Sequence, residues 1–155
     1  MDETQIDKLI KLLQKYEMTI AELYETFAAV FVTSKKTWTS FAAEERLHAK
    51  WIGELYSQLK NENISFEQTK ITEQSTRTAI NYIESQITKT KNDKQDLAHA
   101  LNIAIDVEKS LLEKSYLNIF KLKGQKAQQV QDGLLKATKR HLDRLIEWRE
   151  NIKSA

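Results

Sequence analysis

The chain has 155 residues, no proline, no cysteine and three glycines, and its formal net charge is +2. That charge is too small to imply a nucleic-acid partner, and the lack of cysteine excludes disulfides, zinc–thiolate sites and cysteine-ligated iron centres. The length suits one domain, residues 1–155, with a single core; the polar start MDETQIDK is no secretory signal, and no apolar run approaches membrane-spanning length. The expectation is a soluble cytoplasmic protein of long helices joined by short turns.

The first helix is predicted over residues 3–32, with Leu9, Leu13, Tyr16, Ile20, Leu23, Tyr24, Phe27, Ala28 and Phe31 on its buried face. Glu17 falls inside that stripe, between Leu13 and Ala21. A polar turn at 33–37 follows, with Ser34 or Thr37 as candidate caps, so the first two helices form an antiparallel hairpin. The second helix is centred on residues 38–59, where Trp38, Phe41, Ile52, Leu55 and Leu59 recur in helical steps. Glu45 and His48 occupy the same stripe. A core-facing helix does not bury a carboxylate and an imidazole unless something satisfies them.

Residues 61–63 break the second helix, and 64–66 form an irregular piece against the bundle. A further helix over 75–91, with Ile80, Tyr82, Ile83 and Ile87 as its apolar residues, reads as part of a long crossover. The next long helix is predicted over 94–123, its stripe running through Leu97, Leu101, Ala104, Ile105, Leu111, Leu112 and Phe120, with Gly124 as its C-cap. Glu108 lies on that stripe. The last helix, over 126–152, carries Leu134, Leu145, Trp148 and Ile152, with Thr138 and His141 in the intermediate places.

Four long helices thus carry Glu17, Glu45 with His48, Glu108, and His141 near their middles, where an antiparallel bundle brings side chains to one level. Burying three carboxylates together without a cation costs several kcal/mol per charge or forces protonation. Carboxylate oxygen and imidazole nitrogen are ligands for iron or manganese.

At these residues the chain resembles the ferritin-like superfamily, and within it the rubrerythrin-like di-iron proteins. The resemblance rests on Glu17 with Tyr24, Phe27 and Ala28, on Ala43-Glu44-Glu45-x-x-His48-Ala49, and on residues 104–113, AIDVEKSLLE. It implies an all-α, ferritin-like four-helix bundle whose long crossover holds an extra helix between the second and third long helices. It implies one or two iron ions, or manganese, with Glu17, Glu45 and His48 on one ion, Glu108 and His141 on the other, and Glu45 bridging. It further implies oxidase or peroxidase chemistry with oxygen or hydrogen peroxide, a separate electron donor and Tyr24 as a hydrogen-bond donor to the site, and it allows a homodimer.

One departure stands out. Where the family pattern places a glutamate three residues before the last histidine, this chain has Thr138. Three carboxylates leave a di-ferrous pair under-compensated, so the ion beside Glu108 and His141 is expected to be weak or missing. The competing expectation is a metal-free bundle with a structural or partner-binding role; an iron-storing shell is a third. His99 and Trp51 lie off their stripes and are expected to be a surface residue and a partial contact.

Overall fold

The computed structural model describes residues 3–59, 72–113 and 125–154. Five α-helices account for nearly all of them: α1 (Glu3–Val30), α2 (Lys35–Leu59), α3 (Glu73–Asn92), α4 (Leu97–Glu113) and α5 (Gln125–Ser154). No proline interrupts them, and each long helix carries an apolar stripe wide enough to need a partner. In α1 the stripe is nearly continuous from Ile6 to Ala28. Burying each of its leucines, isoleucines and aromatics contributes about 1.5–3 kcal/mol, the main favourable term holding this helix in place.

The first helix ends two residues earlier than its periodicity predicts. Phe31 leaves the helical conformation, Val32 is 73% exposed, and a single 3-10 turn (Val32–Ser34) leads into α2. With no apolar contact left for Val32 to make, nothing offsets the entropy of extending the helix further. The Ser34 hydroxyl donates to the Phe31 carbonyl from the position just before α2, whereas Thr37, the other expected cap, lies inside α2 and does not cap it. The α1–α2 hairpin is further tied by Gln14, whose amide donates to the Ala49 carbonyl at 3.1 Å, and by an Arg46–Glu25 ion pair.

The crossover helix α3 begins at a capping box in which Thr72 and Ser75 satisfy each other's backbone amides. It packs against α1. Its buried face is Thr76, Ile80, Ile83, Gln86, Ile87 and Thr90. Tyr82, expected on that face, is instead 45% exposed, because Ile80 and Ile83 already define the stripe and Tyr82 falls beside it. The following helix starts at Leu97 rather than 94, since Asp96 accepts from the His99 amide and sets the N-terminus there.

The remaining packing pairs α4 with α5 and α2 with α5. Trp38, Tyr24, Phe27, Phe41, Leu13 and Leu101 lie in the fully buried centre. Among the described residues no helix is long and apolar enough to cross a membrane. The expectations at 61–66, and those for Phe120 and Gly124, lie outside the described residues.

Candidate metal centre

The bundle buries every polar group that the sequence places on its seams. Glu17, Glu45 and Glu108 have no exposed surface, and His48, Thr138 and His141 retain almost none. Glu45 is the hub. One of its oxygens, Oε2, lies 3.2 Å from His48 Nδ1, the i,i+3 neighbour on α2. The other, Oε1, lies 2.6 Å from Nδ1 of His141 on α5. Glu17 from α1 hydrogen-bonds to Glu45, which requires a proton between the two carboxyls. The circle closes through Glu108 of α4, whose Oε1 lies 3.4 Å from His141 Nδ1 and accepts a 2.8 Å hydrogen bond from the Tyr24 hydroxyl.

These contacts set the protonation states. Burial alone would raise the Glu45 carboxyl, but hydrogen bonds from His141 and His48 outweigh it and hold the group well below the usual carboxylate range. Glu108 goes the other way: burial first, and the negative charge of Glu45 second, push it up to about 8. Burial would lower His141, but the facing carboxylates of Glu108 and Glu45 raise it to about 10. Burial and the nearby carboxylates drive Tyr24 far above its ordinary value, so its hydroxyl remains a donor. In this arrangement, protons on Glu108 and His141 supply positive charge that a cation would otherwise provide.

The donor set fits a metal ion. Glu45, His48 and His141 each offer one ligand atom, all within 4.8 Å of one another and all buried. Glu108 Oε2 is buried with no hydrogen-bond partner, a desolvated lone-pair group that a cation would satisfy. Nitrogen and oxygen donors without sulfur suit iron or manganese. Thr138 supplies no charge, and its hydroxyl donates back to the Leu134 carbonyl at 3.0 Å, so its one proton is spent on its own helix.

A further carboxylate joins the site that helical periodicity does not single out. Glu44, beside Glu45 but on the flank of the α2 stripe, pairs through Oε2 with His141 Nε2. Arg144 holds Glu44 from the next turn of α5, with Nη1 at 3.1 and 3.2 Å from its two oxygens, and lies 4.4 Å over the Phe41 ring. His141 therefore has a carboxylate at each ring nitrogen. The available signal was the Glu44-Glu45 doublet together with a cation three residues after His141; their meeting depends on the rotation of α2 against α5. His99 lies on the surface, as expected from its place off the stripe. Trp51 is half-buried, its ring 5.7 Å from that of His48.

The family model for rubrerythrin matches residues 15–148, a span that contains all of these groups, and the chain belongs to that family. Searches among curated proteins and among solved structures find no match.

Proposed function

From that membership we propose that the chain is a non-haem iron protein that reacts with oxygen or hydrogen peroxide at the bundle centre, using electrons from a separate donor. The observation carrying this reading is the convergence of Glu45, His48 and His141 ligand atoms within 4.8 Å in a fully buried layer. Glu17, Glu45 and His48 would hold one ion. Glu108 and His141 would hold a second, with Glu45 between the two. When bound, iron supplies one-electron chemistry towards oxygen and peroxide.

The chain's own residues set the conditions for that chemistry. Phe41 covers one edge of the His141 ring at 5.1 Å, and with Trp38 and Phe27 it keeps bulk water from this side of the layer. Tyr24 holds a proton at Glu108 Oε1. Glu44 and Arg144 fix the orientation of His141, as an outer carboxylate does for a metal-ligating histidine. The low charge of the ligand set favours a single divalent ion over a pair.

A second reading is a metal-free bundle with a structural or partner-binding role. It is favoured by the hydrogen bonds that Glu45, His48, His141, Glu108 and Tyr24 already make among themselves. Metal analysis of the purified protein, with iron and manganese standards, separates the two. The metal reading expects a divalent ion whose removal by chelator lowers the unfolding temperature. It also expects His48→Ala to lose that ion while His99→Ala retains it. A melting curve indifferent to chelator, or equal retention in both variants, refutes it.

A further inference from the structure

We propose that Tyr24, Trp38 and Trp148 form a one-electron relay between the bundle centre and the surface. Tyr24 is hydrogen-bonded to Glu108, and its ring centroid lies 5.5 Å from that of Trp38. The Trp38 ring lies 4.9 Å from that of Trp148. Trp38 has no exposed surface, whereas Trp148 is half-buried and lines an open surface cavity of about 280 Å³ with Thr37, Arg144 and Glu147. Three oxidisable rings in contact thus run from the candidate centre to solvent. Phe27 and Phe41 flank them and are too hard to oxidise to carry charge themselves.

A second observation singles out the middle ring. The Trp38 indole nitrogen is buried with no hydrogen-bond partner. Such an orphan is a cost that native cores rarely carry without a reason. An indole with no acceptor cannot lose its proton when oxidised. The hole on Trp38 therefore stays a strongly oxidising radical cation and is passed on rather than trapped.

The balance is as follows. Tyr24 gives one electron to an oxidant of the peroxide class at the centre, and its phenolic proton moves along the hydrogen bond to Glu108, which is an ionised carboxylate when it serves a cation. Trp38 returns an electron to Tyr24, and the proton moves back. Trp148 then reduces Trp38 and releases its own indole proton to water in the cavity. An external one-electron donor of the phenol, thiol or ascorbate class gives Trp148 an electron, and water returns the proton. In net terms, one electron passes from the external donor to the oxidant and the three rings are unchanged.

The physiological role rests on the metal reading, but conduction along the rings can be tested without metal. In metal-free Trp51→Phe protein, Trp148 is the one tryptophan open to a small oxidant, since the chain has three tryptophans and Trp38 is buried. Azide radicals generated by pulse radiolysis above about pH 8, where the Glu108 carboxylate is free to take the Tyr24 proton, should produce an indole radical. It should decay into a tyrosyl radical with first-order kinetics independent of protein concentration. Adding Tyr24→Phe should abolish that conversion, Trp38→Phe should slow it by an order of magnitude or more, and Trp148→Phe should remove most of the initial indole signal. Circular dichroism checks that each variant is folded, and Trp148→Phe, at a half-buried position, serves if Trp38→Phe is not. Unchanged conversion in the Tyr24 or Trp38 variant, or no conversion in the parent, overturns the relay. A chain that conducts but takes up no iron would keep the relay and refute the metal reading.

Discussion

Glu44→Gln tests how the chain makes up for the carboxylate it lacks at Thr138. The substitution keeps the shape and an acceptor oxygen facing His141 Nε2 but removes the charge. Outer-sphere carboxylates of metal-bound histidines are typically worth about 10–100-fold in affinity. The Glu44 side chain is 37% exposed, so solvent screening places the effect near the low end, about tenfold or roughly 1.4 kcal/mol. At saturating metal that loss carries directly into folding stability. For a domain of this size, each kcal/mol moves the melting temperature by about 2–4 °C, so the rise produced by metal should shrink by about 3–6 °C. The assay is a pair of melting curves, with and without ferrous or manganous ion under anaerobic conditions, plus competition against a chelator of known affinity. Arg144→Gln should show a smaller effect in the same direction, because it acts only by holding Glu44. Metal affinity of Glu44→Gln within twofold of the parent, or a larger loss in Arg144→Gln, would show that Glu44 does not tune the centre.

Thr138→Glu should raise iron occupancy towards two per chain by restoring the fourth carboxylate, at an overpacking cost of about 1–3 kcal/mol; metal analysis together with a melting curve checks both, and a lower occupancy refutes the charge argument. Metal-free protein should lose stability progressively as pH rises from the ordinary carboxylate range into the alkaline range. Glu108 and His141 have raised folded-state values, so their contributions are complete only below their unfolded values and disappear as pH rises through about 8 and about 10. Glu45, with its depressed value, acts oppositely: its contribution is present above the ordinary carboxylate range and lost as pH falls. Bound metal replaces the protons, so it should flatten the alkaline limb; denaturant titrations at several pH values measure this. Gly133→Ala should stabilise the chain by about 0.5–1 kcal/mol, because the glycine sits inside α5 and a Cβ there meets nothing within 4 Å. A fall in melting temperature would contradict that reading.

Helical periodicity is a local property, and it carried most of what the sequence determined. Steps of three and four residues place Glu17, Glu45, His48, Glu108 and His141 on apolar stripes, and the structure buries each of them. The same arithmetic put His99 on the surface. Element ends were less legible, because they depend on what a residue finds to touch: Val32 continues the helical composition but has no partner, and Tyr82 lies beside a stripe that two isoleucines already complete. Interhelical rotation and register belong to the tertiary structure alone. They decided that Glu44 reaches from the flank of α2 to the far nitrogen of His141, that Arg144 holds it there, and that Trp38 meets Trp148 across about a hundred residues of chain. Such contacts have no period to read, since each depends on two stripes fitting together at one angle. At this seam Trp38 and Phe41 of α2 pack against Trp148 and His141 of α5, with ring centroids 4.9 and 5.1 Å apart, and that close fit exists only once the two helices have met.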